Sequence, residues 1–125
     1  MNNMKTIATL SLALAPFLYV SESLAGTSSE RLFCSAFGEY YGHVKVMSVQ
    51  SDLGAVKDLR TSADSLNDII MPTCYKQIDT KISYDTGADL GQAVAVQLSL
   101  QENATRNEEL FNRVKTSGRL VGLKL

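Results

Sequence analysis

Cys34, Cys74 and His43 are the residues of this 125-residue chain best suited to covalent or proton-transfer chemistry, since it holds two cysteines and one histidine in all. A cysteine activated by a histidine needs the imidazole within hydrogen-bond reach of the sulfur. The stretch ERLFCSAFGEYYGHVKVM, residues 30–47, reads as helix, and its periodicity sets the two far apart. At about 100° per residue, His43 falls about 180° from Cys34, so no local nucleophile pair forms. Glu39 and His43, spaced i and i+4, do share a face. They are expected to form an exposed acid–imidazole pair, the one place where a proton-transfer role would be sought.

The stretch YDTGADLG, residues 84–91, supplies the other polar candidates, Asp85, Thr86 and Asp89. A calcium loop needs oxygen ligands at alternating positions ending in a glutamate, and that series is missing. Thr86 and Asp89 instead have capping-box spacing, so the stretch is expected to be an acidic turn that opens a helix. As a protruding element it is the best candidate for contacting a partner. There is no glycine-rich phosphate loop, no paired-histidine pattern, no C-x-x-C and no G-x-S-x-G. A metal site would lack soft ligands, so no cofactor and no metal are expected, and the chain does not read as an enzyme.

The elements that position these residues begin after an apparent export signal over residues 1–25. Lys5 gives a positive start, Ile7 to Val20 an apolar run, and Ser23-Leu24-Ala25 the small residues at which cleavage after Ala25 is expected. The apolar run is short for a finished membrane span, and Gly26 stands where a lipoprotein would carry an acylated cysteine. A periplasmic or secreted protein without a stable membrane anchor is therefore expected, with residues 26–125 forming one domain. Lys5 and Glu22 fall in the leader, so of 12 basic and 13 acidic residues the domain keeps 11 and 12, a balance that argues against nucleic-acid binding. The charge is uneven: acids predominate from Asp52 to Asp89 and bases from Arg106 to Leu125. In an oxidising compartment Cys34 and Cys74 are expected to pair.

The domain is expected to be an all-α bundle of four to five helices stapled by that disulfide. T-S-S-E at residues 27–30 opens the first helix. Phe33, Phe37, Tyr40, Tyr41, Val44 and Met47 form its apolar stripe, whose aromatics read as core rather than as a ligand pocket shared with Phe111. Gly38 and Gly42 lie off that stripe and weaken the helix, and they read either as tolerated imperfections or as places where another backbone approaches closely. A second helix is predicted over residues 52–70 with Ser51 as cap, ended by Pro72, and antiparallel to the first so that the cysteines meet. A short third helix is predicted from Pro72 to Ser83. Residues 93–101 fit helix or strand, with helix preferred, and Thr105 to Glu108 reads as a cap for a last helix closed by Gly118. The tail RLVGLKL is apolar enough to dock as an extended strap or to remain exposed for a partner.

Compartment, size and motif poverty point to a small exported binding protein acting on a protein partner. An inhibitor or immunity-type protein against a toxin or cell-wall enzyme is the concrete form. The alternative is an acid- or stress-responsive periplasmic chaperone, since a cysteine in each of two helices suits that outline as well.

Overall fold

The computed structural model describes residues 25–125, so the predicted export signal lies, but for Ala25, outside the described residues. Among these residues four helices follow one another: α1 (Ser28–Val49), α2 (Gly54–Cys74), α3 (Ile78–Ala95) and α4 (Leu100–Leu120). The fold is all-α, with no strand among the described residues.

Helix α1 is the axis and packs against the other three. Its start follows from the T-S-S-E pattern: Thr27 Oγ1 accepts from the Glu30 N–H at 3.1 Å, and Glu30 Oε1 accepts from the Thr27 N–H at 2.8 Å. These reciprocal bonds satisfy two amides that a helix start would otherwise leave open. The apolar stripe turns inward, burying Phe33, Phe37, Tyr40, Val44 and Met47 against Ala63 and Ile70 of α2, Tyr84 of α3, and Leu110 and Val114 of α4. Ring centroids 5.1 Å apart join Tyr40 to Phe111, and Phe37 lies 6.2 Å from Tyr41. The aromatics pack on one another as core.

Helix α2 runs antiparallel to α1. The disulfide joins Cys34, near the start of α1, to Cys74, at the end of α2, across a Cα–Cα distance of 5.8 Å. Towards the other end, Tyr41 donates to Asp64 Oδ1 at 2.5 Å, and Arg60 donates to the same oxygen and to Ser48 Oγ, each at 3.0 Å. The second helix departs from its predicted bounds at both ends. Ser51 accepts from the Leu53 N–H in a turn, and Leu53 is the residue that precedes the helix. Pro72 sits inside the last turn instead of ending it, because a proline there forfeits only one ladder bond and Cys74 is tied down two residues later.

The larger correction concerns α3. The predicted third helix and the predicted acidic turn at residues 84–91 are parts of one continuous helix, which starts after Gln77. Thr86 and Asp89 cap nothing. The glycines that suggested a turn serve a different purpose: α3 runs parallel to α1, and the two backbones touch. A Cβ added at Gly38 or Gly42 would stand less than 3.0 Å from the carbonyl of Tyr84 or Ala88, and one added at Gly87 or Gly91 would meet the carbonyl of Ser35 or Glu39 as closely. Of the two readings of Gly38 and Gly42, the close backbone approach is the one present, with a matching pair opposite.

Residues 93–101 split between the end of α3, a turn, and the start of α4. The cap of α4 is Ser99 with Glu102, not Thr105 with Glu108, which lie within the helix. Gly118 is also internal, and closure falls to Gly122, whose φ of 83° suits glycine. The Leu123 N–H donates to the Gly118 carbonyl at 2.8 Å, which folds the short non-helical tail back on α4.

Candidate functional site

Helix α3 meets the backbone of α1 through glycines and turns the aromatic Tyr84 inward beside them, so its aliphatic bulk is left for the other side. Towards α1 it presents Thr80, Tyr84, Gly87, Gly91 and Ala95, all buried. Its opposite face carries Ile78, Ile82, Leu90 and Val96, which are 75%, 58%, 51% and 65% exposed. Thr86, Asp89 and Ala93 lie on the same face and are also exposed. Soluble helices ordinarily turn their aliphatic bulk inward. Here the arrangement is inverted, and a run of large apolar side chains along one outer face marks a surface suited to association.

Asp85, Thr86 and Asp89, expected on a protruding loop, are therefore set on a rigid helix. Asp85 stands at the edge of the face, where it accepts from the Tyr75 hydroxyl and from Lys81 Nζ at 3.1 Å. These donors hold its carboxyl below the usual carboxylate range, the tyrosine bond contributing most. Asp89 has no ion pair or hydrogen-bonding partner for its carboxylate among the described residues. An exposed acid amid aliphatic side chains gives the surface a charge for a basic group to meet.

Glu39 and His43 lie elsewhere and do not form the expected exposed pair. Both are buried, in the layer between α1 and α4. Glu39 accepts from Arg106 Nη2 at 2.7 Å and from Arg113 Nη1 at 3.2 Å, two arginines from α4. His43 is 0% exposed, and neither ring nitrogen has a hydrogen-bond partner among the described residues. Burial, with the Arg106 charge behind it, lowers its pKa from 6.5 to about 4. A neutral imidazole sealed from solvent has no path to a substrate, so this pair is no accessible acid–base site. The sequence wheel placed His43 off the apolar stripe but could not show that α3 and α4 cover that side too.

Asn103 is a structural residue that the sequence did not single out. It is fully buried, and its Nδ2 donates to Gln50 Oε1 at 2.8 Å and to the Ala95 carbonyl at 3.0 Å, clamping the ends of α1 and α3 to the start of α4. Its partners are distant in sequence and left no local signal. Among the described residues no group of three His, Cys, Asp or Glu side chains gathers to hold a metal ion, and no helix is long and apolar enough to cross a membrane.

Among the described residues the fold and the site together define a small, disulfide-stapled four-helix bundle whose α3 turns aliphatic side chains outward along one face. Comparison with protein-family models, with curated proteins and with solved structures gives no match.

Proposed function

We propose that this chain is a small exported protein-binding scaffold, of inhibitor or immunity type against a toxin or cell-wall enzyme, and that it docks its partner on the outer face of α3. The observation that carries this reading is the placement of the aliphatic bulk of α3, with Thr80, Tyr84, Gly87, Gly91 and Ala95 inward and Ile78, Ile82, Leu90 and Val96 outward. The backbone contact with α1 and the disulfide behind it keep that face rigid, which lowers the entropy lost on docking. Unpaired Asp89 favours a partner that brings a lysine or arginine to the centre of the face. The reading is one of binding, with no catalytic residue. Capture of interacting proteins from the exporting organism, with the wild-type protein and with an Ile78→Ser/Ile82→Ser variant side by side, tests it. One stoichiometric partner held by the wild type and lost from the variant is the expected result, and equal recovery on both would sink it.

A second reading, an acid-responsive chaperone, is favoured by one observation of its own. His43 is buried uncharged, with Arg106 of α4 and Glu39 of its own helix as its charged neighbours, while α3 meets it through uncharged Gly91. Protonation there would put a second cation beside Arg106 and loosen the bundle, exposing apolar surface to clients. Suppression of the aggregation of an unrelated client protein at about pH 4, absent at pH 7 and absent from His43→Leu at both, is the outcome that would favour it over the inhibitor.

A further inference from the structure

The residue that opens the described fold sits in a fitted site. Gly26 precedes the first helix, yet it is buried. Its N–H donates to both oxygens of the Asp79 carboxylate, at 2.9 and 3.1 Å. Arg31 Nη1 donates to the Gly26 carbonyl at 2.8 Å and to Asp79 Oδ2 at 3.0 Å, which fixes the carboxylate from the other side. A side chain is excluded at this position, because a Cβ on residue 26 would stand less than 3.0 Å from the Thr80 methyl. Thr80 has little freedom to move away: it is buried, and its hydroxyl is held by the carbonyls of Cys74 at 2.5 Å and Gln77 at 3.1 Å.

This is more than one backbone amide needs. The Thr80 N–H also donates to Asp79 Oδ1, at 2.9 Å, so both oxygens are engaged, but the side towards Gly26 receives only one amide proton shared between them, where an ammonium would bring three protons and a full charge. The bond before Gly26 is the one at which cleavage is expected from Ser23-Leu24-Ala25. We propose that processing after Ala25 frees the α-amino group of Gly26 and that Asp79, positioned by Arg31, captures it as an ion pair that completes the fold. Hydrolysis breaks the Ala25–Gly26 peptide bond. Water supplies the hydroxyl to the Ala25 carbonyl carbon and a proton to the Gly26 nitrogen, which takes a further proton from solvent. The proposal rests on the export reading and adds a receptor in the mature fold for the terminus that export creates.

The charged groups around Gly26 are Glu30 and Arg31 from α1 and Asp79 from α3, with Lys76 of the preceding turn lining the adjoining depression. The α4 tail contributes only uncharged Val121 and Leu123 to that depression. The Asp79 carboxyl is already held below its ordinary range, first by the Gly26 N–H and then by Arg31. The captured amine would in turn be held above the ordinary terminal value of about 8. Its stabilising effect would be complete below that value and lost as the pH rises through the raised one.

The test uses the full chain, produced with glycine labelled at Cα in an exporting bacterium and purified from the periplasm. Intact mass and an NMR titration of the Gly26 Cα signal are read on the same material. The expected result is a chain that begins at Gly26, whose amine titrates at or above about 9, against about 8 in Asp79→Asn. Gly26→Ala is expected to melt about 5 °C lower than wild type. A mass showing a retained leader, or a cut elsewhere, removes the export reading and the proposal with it. The correct mass with an amine titrating at its ordinary value overturns the capture alone. The wild-type titration decides the matter even if Asp79→Asn fails to fold.

Discussion

The most consequential single side chain is His43. Between the ordinary imidazole value of 6.5 and the value of about 4 that burial imposes, the unfolded chain binds a proton that the folded chain refuses. The part of the stability that depends on an uncharged His43 is therefore full above about pH 6.5 and falls as the pH drops towards 4, by about 3 kcal/mol at the lower end. Urea unfolding of wild type and of His43→Leu across that range checks this, and the variant is expected to lose the slope. The carboxylates held low by hydrogen bonds, Asp79 and Asp85 among them, give up their stabilisation only at still lower pH, so the two effects separate. Glu39 has a different vulnerability. Arg106→Met would leave its buried carboxylate with Arg113 alone, whose side chain is 56% exposed. A loss of about 3 kcal/mol is expected in thermal or urea denaturation. None of this was legible in the sequence, where Glu39 and His43 read as an exposed pair because only one face of α1 announced its burial.

At the scale of elements, the glycines of α1 and α3 decide where the two helices lie. Gly38→Ala or Gly91→Ala would drive a Cβ into a carbonyl of the neighbouring backbone, and backbone cannot swing aside as a side chain can. Each is expected to destabilise the protein by about 3 kcal/mol or more, by analogy with overpacked cores. Gly54→Ala is the internal control. Gly54 opens α2 with nothing within 4 Å of an added Cβ, so alanine there is expected to be neutral or to stabilise by up to about 1 kcal/mol. Melting curves of the three variants rank them. The sequence disclosed α1 through its capping box and its apolar stripe. It misplaced the boundaries of α2 and broke α3 in two, because Asp-Thr-Gly and Asp-Leu-Gly carry the composition of a turn. What distinguishes a turn glycine from a contact glycine is a helix some fifty positions away in the chain, and no local window contains it.

For the whole molecule, the staple and the exposed face have separable effects. The disulfide closes a loop with a sequence separation of 40, and its removal in a Cys34→Ala/Cys74→Ala variant is expected to cost about 4 kcal/mol in denaturant unfolding. Ile78→Ser/Ile82→Ser, by contrast, alters side chains that are already in solvent and is expected to change stability by no more than about 0.5 kcal/mol. The pairing of the cysteines and the all-helical class were legible in the sequence, since two cysteines and a repeating apolar pattern leave few alternatives. The outer face of α3 was not, because the predicted short helix from Pro72 to Ser83 carried no sign of which side its neighbours would cover.

The residues that fix α3 against its neighbour and those it displays are disjoint sets. Thr80, Tyr84, Gly87 and Gly91 set its place, while Ile78, Ile82, Thr86 and Asp89 set only its appearance. Mutation can therefore rewrite the displayed set without disturbing the architecture, so a lineage of such chains could vary this surface while every member keeps the same skeleton.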